Sequence, residues 1–160
     1  MIPGFIPGIP TTGRQLPLLA GAASLLIAPF LFIGGPDWTS GPLLKSAWNL
    51  GHILLFALLT LTVRPWRWFS GWRLWLAVTA GLLVAGIGIE LVQNSYSRDM
   101  DGRDLLRNLI GGWLIIAWRP VLVTGPKTSV RQILIATTAT LLLCFELGAT
   151  GMVAARQWQV

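Results

Sequence analysis

Long stretches without a charged residue constrain this chain more than any other feature. Three of them, each 16 to 18 residues long, lie at 16–33, 46–63 and 74–89. A helix that crosses a membrane needs about 20 predominantly apolar residues, so each stretch approaches the length of one span. Two less uniform apolar stretches follow at 105–123 and 133–155. Only 11% of the 160 residues are charged, against about 25% in soluble domains.

We therefore predict an all-α, multi-pass membrane bundle that forms a single domain over residues 1–160. A Pro- and Gly-rich leader at 1–15 precedes it. This leader lacks the basic start of a cleaved signal peptide, since Arg14 is its one basic residue, so we expect the first helix to remain in the membrane. The five transmembrane helices are predicted at 16–34, 46–63, 73–95, 105–123 and 131–154.

The net charge of +6 raises nucleic acid as a ligand, but the placement of the cations argues against it. Most of them lie at the predicted helix ends beside Trp, as membrane anchors do. We therefore predict no nucleic-acid partner. The single cysteine, Cys144, lies in the last apolar stretch and cannot form an internal disulfide.

The distribution of the cations also predicts the orientation in the membrane. Five spans place the termini on opposite sides, with seven Lys and Arg residues on the side of the N-terminus and five on the other. Cytoplasmic loops carry the excess of Lys and Arg, which predicts a cytoplasmic N-terminus. The seven are Arg14, Arg64, Arg67, Arg73, Arg119, Lys127 and Arg131, and the five are Lys45, Arg98, Arg103, Arg107 and Arg156.

Carboxylates are concentrated in one short part of the chain. Four of the six acidic residues lie within 89–112, namely Glu90, Asp99, Asp101 and Asp104. We expect Glu90 about one turn inside the outer end of the third helix, with Gln93 on the same face. Asp104 is a good N-cap residue for the fourth helix, and Asn108 shares its face one turn later.

The second helix contributes a further polar stripe. Lys45, Asn49, His52 and Phe56 are spaced for one helix face, and the predicted helix start places His52 about 9 Å inside. Glu146 on the last helix is expected at a matching depth. Ionisable groups inside a membrane usually face the bundle interior in pairs and mark functional sites. The site is predicted from Asn49, His52, Glu90, Gln93, Arg98, Asp104, Asn108 and Glu146.

These residues and their spacing resemble the VanZ-like family of small bacterial membrane proteins. The resemblance covers roughly residues 45–120, and the segments that carry it are "NLGHILLF" (49–56) and "IELVQNSYSRDMDGRDLLRNLIGG" (89–112). Many members carry Lys at the position of Asn49. The resemblance implies a protein of the bacterial inner membrane that is associated with the cell envelope and with teicoplanin-type antibiotic resistance. The matching positions are Asn49, His52, Glu90, Gln93, Arg98, Asp104, Asn108 and Gly111.

Three functions stay open at this point, besides a helix-packing or assembly role in which the polar residues only tie the helices together. The favoured one is binding of a lipid or glycolipid headgroup, including a lipid-linked envelope precursor, with Arg98 contacting an anion. The second is an enzyme that acts on such a lipid, with His52 and Glu90 as base and orienting partner. The third is a proton-coupled carrier built from the same groups, mainly as a homo-oligomer because five short helices leave little room for alternating access in a monomer.

No cofactor and no metal site is predicted. The sequence "DMDGRD" has the look of a calcium loop, but the twelfth position from Asp99 is Ile110, where an EF-hand needs Glu. Oxygen ligands from Asp99, Asp101 and Asp104, or His52 with Glu90, are the arrangements that a metal would use. Membrane lipids are the predicted partners.

Overall fold

A computed structural model describes residues 12–32, 41–94 and 102–158, and in these ranges the chain forms five α-helices and no strand. The prediction of an all-α helical bundle is confirmed. The helices are α1 (Thr12–Phe32), α2 (Pro42–Val63), α3 (Gly71–Asn94), α4 (Gly102–Thr124) and α5 (Val130–Gln157). They begin one to four residues before the predicted positions, and the Pro- and Gly-rich leader lies mostly outside the described residues.

Local chemistry fixes most of the helix ends. Pro42 occupies the first turn of α2, where the missing N–H costs nothing. Arg64 ends that helix in the left-handed conformation, with φ 55°, and its N–H donates to the Thr60 carbonyl. Gly125 has φ +56° directly after α4, the conformation that glycine adopts most easily. A capping box between Ser129 and Gln132 begins α5.

Four described helices are long and apolar enough to cross a membrane by length and composition, namely α2, α3, α4 and α5. The apolar part of α1 is shorter, at Gln15–Pro29, so a fifth span and the cytoplasmic N-terminus that depends on it stay predictions. Large apolar side chains such as Leu25, Leu122 and Phe145 are more than 70% exposed. An apolar exterior of this kind is what a helix bundle presents to lipid.

The central helix of the bundle is α4, which packs against α2, α3 and α5, while α1 packs against α2. Glycines permit the closest contacts. Gly111 lies against the backbone of α2 at the Ile53 carbonyl. Gly86 of α3 lies against Asn108. The apolar core beside these contacts is formed by Leu55, Phe56, Val78, Leu82 and Ile116.

Indole hydrogen bonds join α4 to its neighbours. The Trp113 Nε1–H donates to Thr79 Oγ1 of α3 at 2.9 Å, and the Trp118 Nε1–H donates to Thr140 Oγ1 of α5 at 2.9 Å. Such bonds between membrane helices contribute little in measured cases, because the separated helices also find partners.

A double-mutant cycle should show this small contribution at Trp118. Trp118→Phe and Thr140→Val each remove one partner of the bond. We expect a coupling free energy of about 0.6 kcal/mol between the two substitutions, the average for interhelical hydrogen bonds in membranes. The measurement is the free energy of unfolding in mixed detergent and SDS micelles. A coupling of zero would mean that the indole finds an equal partner elsewhere.

Candidate functional site

The first two turns of α4 place three polar side chains in the bundle interior. Asp104, Arg107 and Asn108 are spaced three and four residues apart, which puts them on one helix face. They are 2%, 8% and 1% exposed. Arg107 Nη1 donates to Asp104 Oδ1 at 2.6 Å. A guanidinium that donates to a carboxylate forms a charge-assisted hydrogen bond, which is stronger than a neutral one.

From the middle of α2, His52 faces this surface of α4. Its side chain is completely buried. The Nδ1–H donates to Asn108 Oδ1 at 3.1 Å. The Nε2 atom lies 3.5 Å from Asp104 Oδ2, a separation longer than that of a well-formed hydrogen bond. Both ring nitrogens therefore face side chains of α4.

Glu146 brings α5 into the same cluster. Its Oε2 accepts a hydrogen bond of 2.9 Å from Arg107 Nε, and the side chain is 6% exposed. Arg107 thus lies between two carboxylates, with Nη1 on Asp104 and Nε on Glu146. Only an arginine offers donors along a rigid planar fork in this way. We call His52, Asp104, Arg107, Asn108 and Glu146 the buried polar network.

The network lies well inside the bundle. His52 is ten residues after the start of α2, about 15 Å at 1.5 Å per residue, and Glu146 is eleven residues before the end of α5, about 16 Å. Asp104, in contrast, is in the first turn of α4. The first turns of α2 and the last turns of α5 therefore extend beyond the start of α4. A 2.9 Å hydrogen bond between Ser46 and Thr150 pairs the two helices there.

The structure brings together four of the eight predicted site residues: His52, Asp104, Asn108 and Glu146. Asn49 lies half-buried on α2, almost one turn before His52. The side chains of Glu90 and Gln93, and the whole of Arg98, lie outside what the structure describes. The predicted pairing of His52 with Glu90 therefore stays a prediction, and the described carboxylate beside His52 belongs to Asp104.

Two interpretations of the sequence need correction. Asp104 is not the N-cap of α4, because the helix begins at Gly102 and includes Asp104 in its first turn. Its carboxylate is engaged by Arg107 and His52 instead. Arg107, which the sequence analysis places among the interfacial cations, is a buried member of the network. The sequence did contain one signal for this position, because Arg107 follows Asp104 by three residues and the two therefore share a helix face.

Metal ligation has no support in the described part of the chain. No group of three or more His, Cys, Asp or Glu side chains there is arranged to hold a metal ion. Arg107 occupies the space between the Asp104 and Glu146 carboxylates that a cation would need. Asp99 and Asp101, which the sequence offers as oxygen ligands, lie outside the described residues.

Comparison with protein-family models, with curated proteins and with solved structures found no significant match to this chain. The VanZ-like resemblance accordingly stays a prediction from the residues and their spacing. The membrane character rests on the four apolar helices.

Proposed function

We propose that this chain is a VanZ-like protein of the bacterial inner membrane that binds the polar headgroup of a lipid or glycolipid at the outer end of the bundle. The observation that supports the proposal best is the buried polar network itself. It joins α2, α4 and α5 through charged side chains near the outer end of α4. Charged side chains at such a depth are rare in membrane helices and are usually retained for function.

The geometry favours a supporting role for the network over direct contact with a ligand. Arg107 has both neighbouring carboxylates as partners, and both nitrogens of His52 face α4. A pocket that binds a headgroup needs such a rigid base, because a ligand that must also order its site binds more weakly. In this proposal the contacts with the headgroup come from residues nearer the membrane surface, including the predicted anion contact of Arg98.

Two exposed cations at the outer ends of α2 and α5 suit an anionic headgroup. Lys45 lies in the first turn of α2 and Arg156 in the last turn of α5. These helix ends meet, since the Gln157 amide lies close to the Gly41 backbone. A diphosphate or phosphate group entering between the ends would have a cation on each side.

An enzyme that acts on a lipid-linked envelope substrate is the second candidate, and the observation that favours it is the proximity of His52 to a carboxylate. Asp104 would then be the orienting partner in the described structure, in place of the predicted Glu90. Both ring nitrogens face the protein, however, and a general base needs one nitrogen within reach of the substrate. Binding is therefore the better-supported function. The association with teicoplanin-type resistance rests on the family resemblance.

Removal of Lys45 and Arg156, the two cations at the outer ends of α2 and α5, should weaken headgroup binding; we call these two residues the rim. We expect Lys45→Gln with Arg156→Gln to reduce retention of an anionic headgroup by roughly thirtyfold, since each cation near a membrane surface contributes about 1 kcal/mol and the two contributions add. The measurement is native mass spectrometry of the full chain. The protein is loaded either with a polyprenyl-diphosphate-linked sugar or with phosphatidylglycerol, so that the two headgroup sources can be distinguished.

The matched control removes the same charge at the opposite end of the bundle. Lys127 and Arg131 are exposed near the start of α5, and Lys127→Gln with Arg131→Gln should leave retention of the polyprenyl-diphosphate-linked sugar unchanged. Equal losses in both double variants would show only general attraction of a basic protein for anions. No retention of either probe by the unaltered chain would contradict the binding proposal.

A further inference from the structure

An apolar groove runs between α2 and α3 on the exterior of the bundle. Its volume is about 260 Å³. Gly112 of α4 lies behind it, against the Leu82 and Thr60 side chains that line it. Neighbouring lining residues are Phe56 and Val63 on α2 and Ala77, Gly81 and Ala85 on α3. The groove is separate from the buried polar network, since the two share no residue.

The length and position of the groove match one leaflet of a bilayer. From Phe56 to Pro65 the lining covers nine residues, about 14 Å at the rise of an α-helix. The hydrocarbon core of a membrane is about 30 Å thick, so a leaflet contributes roughly half of that. The groove begins beside the loop between α2 and α3 and ends near the middle of both helices.

The charges at the loop end of the groove are of one sign. Six Lys and Arg residues lie at this end of the four spanning helices, and the sequence has no Asp or Glu over 46–89 or 105–145. Arg73 lies one turn before Ala77, so it continues the groove-lining face of α3 toward the membrane surface. The other cations are Arg64, Arg67, Arg119, Lys127 and Arg131.

Aromatic side chains hold part of this basic surface at headgroup level. The Arg73 guanidinium lies 5.8 Å from the Trp72 ring centroid, and Arg119 lies 5.0 Å from the centroid of Trp66. Trp side chains prefer the interface between headgroups and acyl chains. The mouth of the groove is therefore placed at the headgroups, and its apolar body lies below them.

We propose that this groove is a binding site for one anionic phospholipid, with an acyl chain between α2 and α3 and the phosphate beside Arg73. A groove left empty would lose dispersion contacts along its walls. An acyl chain gains little from the hydrophobic effect here, because the surrounding lipid is equally apolar. Selectivity must then come from the headgroup, which the basic surface attracts electrostatically. The site lies at the opposite end of the bundle from the rim of Lys45 and Arg156, and it does not depend on the proposed function.

Filling the groove with a side chain tests the acyl-chain part of the proposal. A Cβ at Gly81 would meet no atom within 4 Å, so Gly81→Leu can occupy the groove without distorting the helices. The full chain is placed in nanodiscs with equal amounts of phosphatidylglycerol and phosphatidylcholine, and retained lipid is counted by native mass spectrometry. We expect the unaltered chain to retain phosphatidylglycerol in preference and Gly81→Leu to lose it. Gly148→Leu, at an exposed position of α5 with equal free space, should retain it.

The headgroup part is tested by Arg73→Gln. We expect the preference for phosphatidylglycerol over phosphatidylcholine to fall about fivefold, the loss expected for one cation at an anionic surface. Arg131→Gln removes a cation of the same basic surface but on α5, away from the groove, so it should lower the preference by much less than Arg73→Gln. Equal losses in the two variants would mean general attraction of anionic lipid and no site at the groove. If a thermal melt shows that Gly81→Leu does not fold, the two arginine variants still test the proposal.

Two further outcomes would overturn the proposal. One is equal retention of both lipids by the unaltered chain. The other is a dimer that Gly81→Leu converts to a monomer while lipid retention stays constant, which would assign the groove to a second copy of the chain. Neither result would decide headgroup binding at the outer end, because that proposal also has a separate probe, the polyprenyl-diphosphate-linked sugar, and is read from the Lys45 and Arg156 variants. Retention of phosphatidylglycerol at the groove is read from the Gly81 and Arg73 variants.

Discussion

Arg107→Leu is expected to lower the free energy of unfolding by about 3 to 5 kcal/mol, the cost of breaking a buried ion pair by removing one partner. The substitution leaves Asp104 and Glu146 buried without the cation between them. Each carboxylate then loses its charge-assisted hydrogen bond to Arg107, and this loss weakens the packing of α4 against α5. The measurement is unfolding in mixed detergent and SDS micelles.

The shape of the guanidinium, as well as its charge, contributes to this effect. Arg107 uses Nε for Glu146 and Nη1 for Asp104, whereas a lysine carries one ammonium group on a flexible stem. Arg107→Lys should therefore fall between Arg107→Leu and the unaltered chain in stability. If Arg107→Lys equals the unaltered chain, charge alone is sufficient and the forked geometry has no energetic role.

Arg131→Leu is the matched control for the loss of a cation. Arg131 is exposed in the first turn of α5, and exposed cations contribute within about 1 kcal/mol. A loss of stability at Arg131 as large as at Arg107 would mean that the total charge of the chain, and not the network, determines the result.

Glu146→Gln should lower the free energy of unfolding by less than Glu146→Leu does, since the amide oxygen can still accept a hydrogen bond from Arg107 Nε.

The helices were predictable because hydrophobic length is a strong signal. An uncharged stretch of the length of 46–63 has few alternatives to a membrane helix, and α2 ends at Val63 as predicted. Helix starts were less accurate, since polar and small residues such as Gly102 and Arg103 carry little hydrophobic signal yet continue the hydrogen-bonding pattern of α4. The end of a hydrophobic stretch marks the membrane boundary more closely than it marks the end of the helix.

The candidate site was predictable only in part because periodicity gives a face and a depth but no partner. Spacing predicts that His52, Asp104 and Asn108 lie at one level of the bundle, and residue counting predicts a similar depth for Glu146. The observed contacts agree with this common level. Arg107 was missed because a cation near a helix end is usually an interfacial anchor. Its burial depends on α5 supplying Glu146, and a sequence does not show which helices become neighbours.

Close contact between α2 and α4 is the condition that allows His52 to reach Asp104 and Asn108, and Gly111→Ala tests it. A methyl group at Gly111 would overlap the Ile53 carbonyl oxygen and lie 3.0 Å from the Ala57 nitrogen. Both are backbone atoms within a helix, so the two helices must move apart. We expect a loss of about 1 to 3 kcal/mol in the free energy of unfolding, the usual cost of overpacking a well-packed interior. Small residues permit such close approach in membrane bundles.

Gly148→Ala is the control for the change in backbone flexibility. Gly148 lies within α5, and an added Cβ there meets no atom within 4 Å. Alanine is a better helix former by up to about 1 kcal/mol, so this variant should be as stable as the unaltered chain or slightly more stable. The difference between the two alanine variants then isolates the contact of α4 with α2. Equal stability of Gly111→Ala and Gly148→Ala would mean that α2 and α4 are not held at this distance. In that case the hydrogen bond of His52 to Asn108 would lack the support that positions it.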